Sequence, residues 1–188
     1  MGNSIPSSPP TRGRLLLKTV LLLRHAKSSW DQPHLSDPLR PLAPRGRKAS
    51  SRLGAYMALN GISPSRVLCS PARRAVETWD LVSEYMEDSI QVEIREDLYH
   101  ASPGDLLAIL QELPDTEDTV LFVGHNPTFE ELALALAGAG RTESLAELGR
   151  KYPTGALAVF DFSVDAWSEV REGTGYLRDF IRPRTLEP

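Results

Sequence analysis

Three short apolar runs constrain this chain most, because each is long enough for one buried strand and each turns polar almost at once at its end. Val20-Leu21-Leu22-Leu23 runs into Arg24-His25-Ala26-Lys27-Ser28-Ser29-Trp30, and Val67-Leu68-Cys69 into Ser70-Pro71-Ala72-Arg73-Arg74. The third run, Val120-Leu121-Phe122-Val123, ends in Gly124-His125-Asn126-Pro127. Apolar strands without alternation call for burial on both faces, the condition of a parallel sheet between helical layers. If the three strands are parallel neighbours, their polar ends meet at one edge, and the carboxyl edge of an open α/β sheet is where ligands usually bind.

The segments between them support that architecture. A helix is predicted from about Pro44, with Ala49, Leu53 and Met57 on one face and a stop at Asn60-Gly61. A second opens at Pro71 and carries Ala75, Trp79, Val82 and Met86. Ser102-Pro103-Gly104-Asp105 has the form of a capping box ahead of Leu106, Leu107, Ile109 and Leu110. Phe129, Leu132, Ala133 and Leu136 mark a helix ending near Gly138, and another is read over residues 144–150. The alternation in residues 90–94 predicts a half-exposed strand at or near an edge. Residues 155–162 and 176–182 read as strands, separated by a connection too long for a tight hairpin. The four prolines in residues 31–44 mark a loop that should lie over or beside whatever Arg24 and His25 bind. Residues 95–101 read as loop too. The pattern predicts a three-layer α/β/α fold with a mostly parallel central sheet and helices on both faces.

At 188 residues the chain fits one domain over residues 14–188, after a Ser-, Pro- and Gly-rich arm at residues 1–13 expected to be disordered. A formal charge of −4 gives no electrostatic reason to bind nucleic acid or an acidic membrane, so an anion site must be local. The leucine run before Arg24 is broken by Lys18 and is too short to span a bilayer, and because it runs into Arg24 with no small-residue cleavage site it is not read as a signal peptide. Pro6 sits where a myristoylation motif wants Ser or Thr. The lone Cys69 excludes an internal disulfide and fits a reducing, cytoplasmic compartment, with its thiol a small core group. The oligomeric state is not legible.

Two imidazoles and one or two guanidiniums at one sheet edge suit a phosphoryl group. Guanidinium binds phosphate oxygens in pairs and stabilises charge spread over a phosphoryl-transfer transition state. A neutral imidazole can attack phosphorus and carry the group as phosphohistidine, and nearby arginines hold it neutral. Two other readings use the same residues. A metal-dependent hydrolase built on His25 and His125 lacks any close histidine pair, and Arg24 would oppose a cation. A non-catalytic phosphate-binding module would keep the arginines alone.

The stretch Arg24-His25-Ala26-Lys27-Ser28-Ser29-Trp30 resembles the Arg-His-Gly signature of the histidine phosphatase superfamily, the phosphoglycerate mutase-like proteins, with Ala26 in place of the usual glycine. Ser70-Pro71, Arg74-Ala75 and Thr78 resemble its second motif, and Gly124-His125-Asn126-Pro127 its third. The segments Asp37-Pro38-Leu39-Arg40-Pro41-Leu42 and Pro153-Thr154-Gly155-Ala156-Leu157 look most like the SixA-type phosphohistidine phosphatases. The resemblance implies that His25 is the phosphorylated nucleophile, that Arg24 and Arg74 bind phosphate, and that His125 donates a hydrogen bond or proton. Ser28, Asp31 and Asn126 are the expected substrate-contacting polar residues, though an ionised Asp31 would repel phosphate.

Many family members carry a glutamate as proton donor; the matching region here offers Glu96, Asp97 and His100. Alkyl phosphates need such an acid because an alkoxide leaves poorly, whereas the imidazole of a phosphohistidine leaves more easily. The expected substrate is therefore a phosphoprotein carrying phosphohistidine, with a small phosphoester as the alternative. No metal and no cofactor are required. Arg73 is read as a surface neighbour of the motif, and His34 as a loop residue. Arg45, Arg47 and Lys48 read as a solvated helix face that, were it to dock anything, would suit an acidic partner. Trp79 and Trp167 are assigned structural roles, and Trp30 is expected to pack under the first motif.

Overall fold

The computed structural model describes residues 17–86 and 90–186; the arm expected over residues 1–13 lies outside them. Its first strand, β1 (Lys18–Arg24), explains the fold around it. Val20 and Leu22 point into one core and Leu21 and Leu23 into another, all fully buried, so an unalternating leucine run is what a strand covered on both faces requires. The other strands are β2 (Arg66–Cys69), β3 (Gln91–Ile94), β4 (Thr119–Gly124), β5 (Ala137–Gly140), β6 (Leu157–Phe162) and β7 (Gly175–Ile181). They form a seven-stranded sheet in the order β3-β2-β4-β1-β6-β7-β5. Four of its six pairings are parallel, and β6 alone among the described strands runs against its neighbours.

Among the described residues, five α-helices cover it: α1 (Pro44–Leu59), α2 (Arg73–Ser83), α3 (Pro103–Gln111), α4 (Thr128–Leu136) and α5 (Thr142–Leu148). Leu53 and Met57 of α1 and Ala75, Trp79 and Val82 of α2 pack on Leu21, Leu23, Val67, Leu121 and Val123. Leu106 and Leu110 of α3, Phe129, Leu132 and Leu136 of α4, and Leu148 of α5 pack on Val20, Leu22, Val120 and Phe122. The protein is thus a three-layer α/β/α fold, as the alternation of strands and helices predicts. The capping box at α3 is complete, Asp105 N–H donating to Ser102 Oγ at 3.2 Å and Ser102 N–H to Asp105 Oδ2 at 2.8 Å. No helix among the described residues is long and apolar enough to cross a membrane.

Local expectations differ from the structure in four places. Pro71 stands two residues ahead of α2 instead of inside its first turn, and Met86 lies beyond the helix, whose last residue is Ser83. The edge strand β3 is exposed on both faces, not one, with Val92 46% and Ile94 50% accessible. Trp30 does not pack under the first motif: Arg40 takes that place, bonded to Ser28 Oγ and Ser29 O, and Trp30, 69% accessible, lies over the Arg40 guanidinium at 3.2 Å from its ring centroid.

The fourth difference is β5. Ala137-Gly138-Ala139-Gly140 reads as a helix end followed by loop, since alanine and glycine have poor strand propensity. Tertiary packing overrides this, because only residues this small let the chain lie against β7. A Cβ on Gly138 would collide with the carbonyl oxygen of Gly173. Gly138→Ala is expected to destabilise the fold by about 1–3 kcal/mol through overpacking, read as a lower denaturation midpoint with an unchanged m value. A neutral effect would mean that β5 is not held where the packing indicates.

Candidate active site

The strand order decides the site. In β2-β4-β1 the three apolar runs are parallel neighbours, with Cys69 opposite Val123 and Arg24 opposite Gly124. The ladder continues one step into the polar ends: Ser70 N–H donates to Val123 O and His25 N–H to Gly124 O, each at 2.9 Å. All three polar clusters therefore meet at the carboxyl edge of the sheet. The turn into β6 closes the group from the other side. Gly155 N–H donates to the carbonyls of Arg24 and His25 at 3.0 and 3.1 Å. It does so with φ +79°, and a Cβ there would press on Pro183, which is why glycine stands at that position.

His25 is 8% exposed, and its two nitrogens have distinct partners. Nδ1 lies 2.7 Å from the carbonyl of Ala26, which can only accept, so the proton sits on Nδ1. Nε2 consequently carries the lone pair and accepts from Arg74 Nε at 3.2 Å. The His25 and His125 ring centroids are 5.1 Å apart. Ser70 Oγ lies 2.7 Å from His125 Nε2, and Arg74 Nη2 lies 3.4 Å from Nδ1. A guanidinium can only donate, so in this contact Nδ1 accepts and Nε2–H donates to Ser70 Oγ; because the hydroxyl can also donate, Ser70 equally holds the other tautomer, in which Nδ1 donates to a group bound at Arg74. Arg74 itself is fixed from the α2 backbone, where Thr78 Oγ1 donates to Arg74 O at 2.6 Å and accepts from Ala26 N–H at 3.0 Å. Arg24 Nη1 donates to Tyr152 O at 2.5 Å, while its buried Nε has no protein partner.

Burial and positive neighbours keep both imidazoles neutral. The His25 pKa is pushed down to about 3, chiefly by desolvation, which outweighs the upward pull of its bond to Ala26 O, with further lowering by His125, Arg74 and Arg24. That of His125 falls to about 4, again by desolvation, followed by Arg74. His25, Arg24, Arg74 and His125 thus form one constellation, as expected from the three strand ends.

Other candidates lie differently. Ser28 is buried, but its Oγ accepts from Arg40 Nη2 at 2.8 Å. Asn126 Nδ2 donates to Glu130 Oε2 at 2.7 Å and to Tyr152 O at 3.3 Å, beside Arg24, and its buried Oδ1 has no protein partner. Asp31 is exposed, and its carboxylate makes no bond to the four among the described residues. Glu96 is exposed in the short 3-10 turn Glu96–Tyr99 and outside the cluster. Asp97 accepts from Arg95 at 3.0 and 2.6 Å, which holds its carboxyl below its ordinary pKa. His100 stacks edge-on against Tyr99 at 4.5 Å. Arg73 is exposed and paired with Glu77 at 2.7 Å, a surface charge as expected, and His34 is exposed in its loop.

Two site residues escape the motif reading. Asp37 accepts from Arg74 Nη2 at 2.8 Å through its carboxylate and from Arg74 Nη1 at 2.7 Å through its carbonyl. Tyr99 donates to the same carboxylate at 2.6 Å and sets its ring edge-on to His125 at 5.3 Å. The Tyr99 hydroxyl first, then Arg74 and Arg40, hold the Asp37 pKa down to about 2. Asp37 is therefore an anion that orients Arg74 and not a proton donor. The available signal was its segment, Asp37-Pro38-Leu39-Arg40-Pro41-Leu42, in the loop expected to overlie the site. Tyr99 was hidden between two more polar candidates.

Residues 20–116 match the model of the histidine phosphatase superfamily (branch 1), and the chain belongs to that superfamily. An uncharacterized protein of Mycobacterium leprae (strain TN) is 34% identical over 168 residues, covering 86% of this chain and 100% of the relative. Among solved structures, the "putative phosphohistidine phosphatase SixA" from Agrobacterium tumefaciens is similar at 28% identity and a TM-score of 0.75, covering 88% of this chain and 98% of that one. The protein of the same description from Nakamurella multipartitia is also 28% identical, with a TM-score of 0.74, covering 89% and 96%.

The depressed histidine pKa values carry a sign. Groups whose folded pKa lies below their unfolded value near 6.5 keep the folded state stable above pH 6.5 and destabilise it progressively as pH falls towards 4 and 3. The same shift keeps Nε2 of His25 unprotonated across that window. With the substrate's own phosphate ionisation divided out, kcat/KM is expected to show no enzyme ionisation near pH 6.5 and to fall only below about pH 5. An acidic limb centred at 6.5 in that profile would contradict the buried, arginine-flanked environment.

Proposed function

We propose that the protein is a phosphatase acting on phosphohistidine in a protein substrate, through a covalent phosphohistidine on His25. Membership of the histidine phosphatase superfamily supports the phosphatase. The observation that carries the finer reading is the state of the carboxylates. Asp37 is held ionised by Tyr99 and Arg74, and Asp97 is tied to Arg95, so neither is a protonated acid poised for a leaving alkoxide. An imidazole leaving group makes least demand for one.

In the first step Nε2 of His25 attacks phosphorus, the new N–P bond forms, and the substrate N–P bond breaks with its electron pair leaving on the substrate imidazole, which takes a proton from solvent water. Arg24 and Arg74 hold the equatorial oxygens, and His125 donates to the transferring group. In the second step water attacks phosphorus, the bond to Nε2 breaks, and inorganic phosphate leaves with His25 neutral again. The guanidiniums supply the charge neutralisation, so the reaction proceeds without a metal. The single thiol, buried on β2, is compatible with the cytoplasm as the compartment.

Three measurements test this. His25→Ala should abolish turnover and the acid-labile radiolabel trapped on the wild-type chain; near-normal activity in that variant would remove the mechanism. Arg74→Ala should lower kcat by about 10²- to 10³-fold, the effect of removing a main electrostatic donor, and a loss below about threefold would mean Arg74 is not on the phosphoryl group. Side by side, a phosphohistidine protein should be hydrolysed faster than aryl or sugar phosphates, with activity unchanged by a chelator. A preference for a sugar phosphate would instead support a small phosphoester as substrate.

A further inference from the structure

The carboxyl edge of the sheet carries more positive charge than one phosphoryl group can use. Beside the histidine cluster lies an open groove of about 590 Å³ that shares Arg24 with it, while His25, Arg74 and His125 do not line it. Seven of its twelve lining residues are Lys or Arg and one is acidic, in a chain whose formal charge is −4. That one acid, Glu147, is already engaged by Arg182 and, at 3.1 Å, by Arg150.

The remaining cations come from four separate segments. Lys27 follows β1, Arg45 lies in the first turn of α1, Lys151 follows α5, and Arg184 lies in the turn after β7. None of these four forms an ion pair among the described residues, whereas Arg47 and Arg73 on the neighbouring surface both pair with Glu77. Part of the basic helix face foreseen around Arg45 is therefore the wall of a groove. Concentrated like charge is unfavourable unless a partner of opposite sign meets it. The four side chains come from separate segments around the groove, and three of them are exposed. Exposed cations contributed by separate segments suit several carboxylates along a chain better than one compact second phosphate.

We propose that this groove docks an acidic segment flanking the phosphohistidine of the protein substrate. Carboxylates of that segment lie along Lys27, Arg45, Lys151 and Arg184 while the phosphoryl group reaches Arg24 and His25. This rests on the phosphohistidine reading above and adds a sequence requirement to it.

The test uses the full chain and two phosphohistidine peptides differing only in flanks, one rich in Asp and Glu and one in Ser and Gly. The acidic peptide should have a kcat/KM roughly five- to tenfold higher at low salt. The preference should fade near 1 M salt, where the Debye length is about 3 Å. The Arg45→Glu and Arg184→Glu double variant, with Lys151→Glu as a second and each checked by its thermal midpoint, should remove it. Equal rates on both peptides in the wild-type chain would overturn the docking site and leave the phosphohistidine reading standing. Failure to hydrolyse either peptide while an aryl phosphate turns over would overturn that reading. In that case fluorescence anisotropy of a labelled, unphosphorylated oligoglutamate peptide still decides the groove. Salt-sensitive binding weakened by Arg45→Glu and Arg184→Glu supports an acidic-segment site, and no binding overturns it. Stronger competition from a small bisphosphate than from the peptide would also overturn it, in favour of a second phosphate subsite.

Discussion

The backbone bond from His25 N–H to Gly124 O is the constraint on which the rest of the site depends. It extends the parallel pairing of β1 and β4 one residue past the strand ends, and so locks the distance between the two histidine-bearing turns. With Ser70 tied to Val123 in the same way on the other side of β4, three turns far apart in sequence become a rigid rim. Side chains on that rim inherit the precision of the sheet. This is why a positively charged cluster can be held at the margin of an apolar core, with Leu23, Val123 and Cys69 directly beneath it and fully buried.

Electrostatics then assigns states to those side chains. Two neutral imidazoles lie among guanidiniums, which would be a poor arrangement for proton storage and is a good one for presenting a lone pair next to fixed positive charge. Asp37 moderates that charge without cancelling it. It is half exposed, so its main effect is geometric: carboxylate and carbonyl together orient the Arg74 guanidinium, and Tyr99 and Arg40 orient the carboxylate. The proline-rich loop thus reaches the site through one short 3-10 turn, Asp37–Leu39, anchored by Arg40 at Ser28 and Ser29.

Much of this was legible before any coordinates. The leucine run of β1, the capping box at Ser102 and the helical spacing of Phe129, Leu132 and Leu136 are local signals, and local signals survive folding when the core agrees with them. Elements whose reason lies elsewhere in the chain were not legible. The strand Ala137–Gly140 has the propensity of a turn and exists because Gly173 leaves room only for glycine beside it. Trp30 looked like a core residue and was displaced by an arginine ten positions on. The loop carrying Glu96 and Asp97 offered three titratable groups as equals, and Arg95 engages the carboxylate of one of them.

By itself, then, the sequence determined the layer architecture and the three polar strand ends, because burial of unbroken apolar strands leaves few other ways to arrange them, while the resemblance of its motifs to the histidine phosphatases singled out His25, Arg24, Arg74 and His125 among the residues at those ends. Tertiary structure alone decided which nitrogen of His25 carries the lone pair, that Asp37 and Tyr99 brace Arg74, and that cations from four distant segments line one groove. Those outcomes depend on partners separated by tens of residues, on carbonyls that any residue could supply, and on directions that only the finished sheet defines.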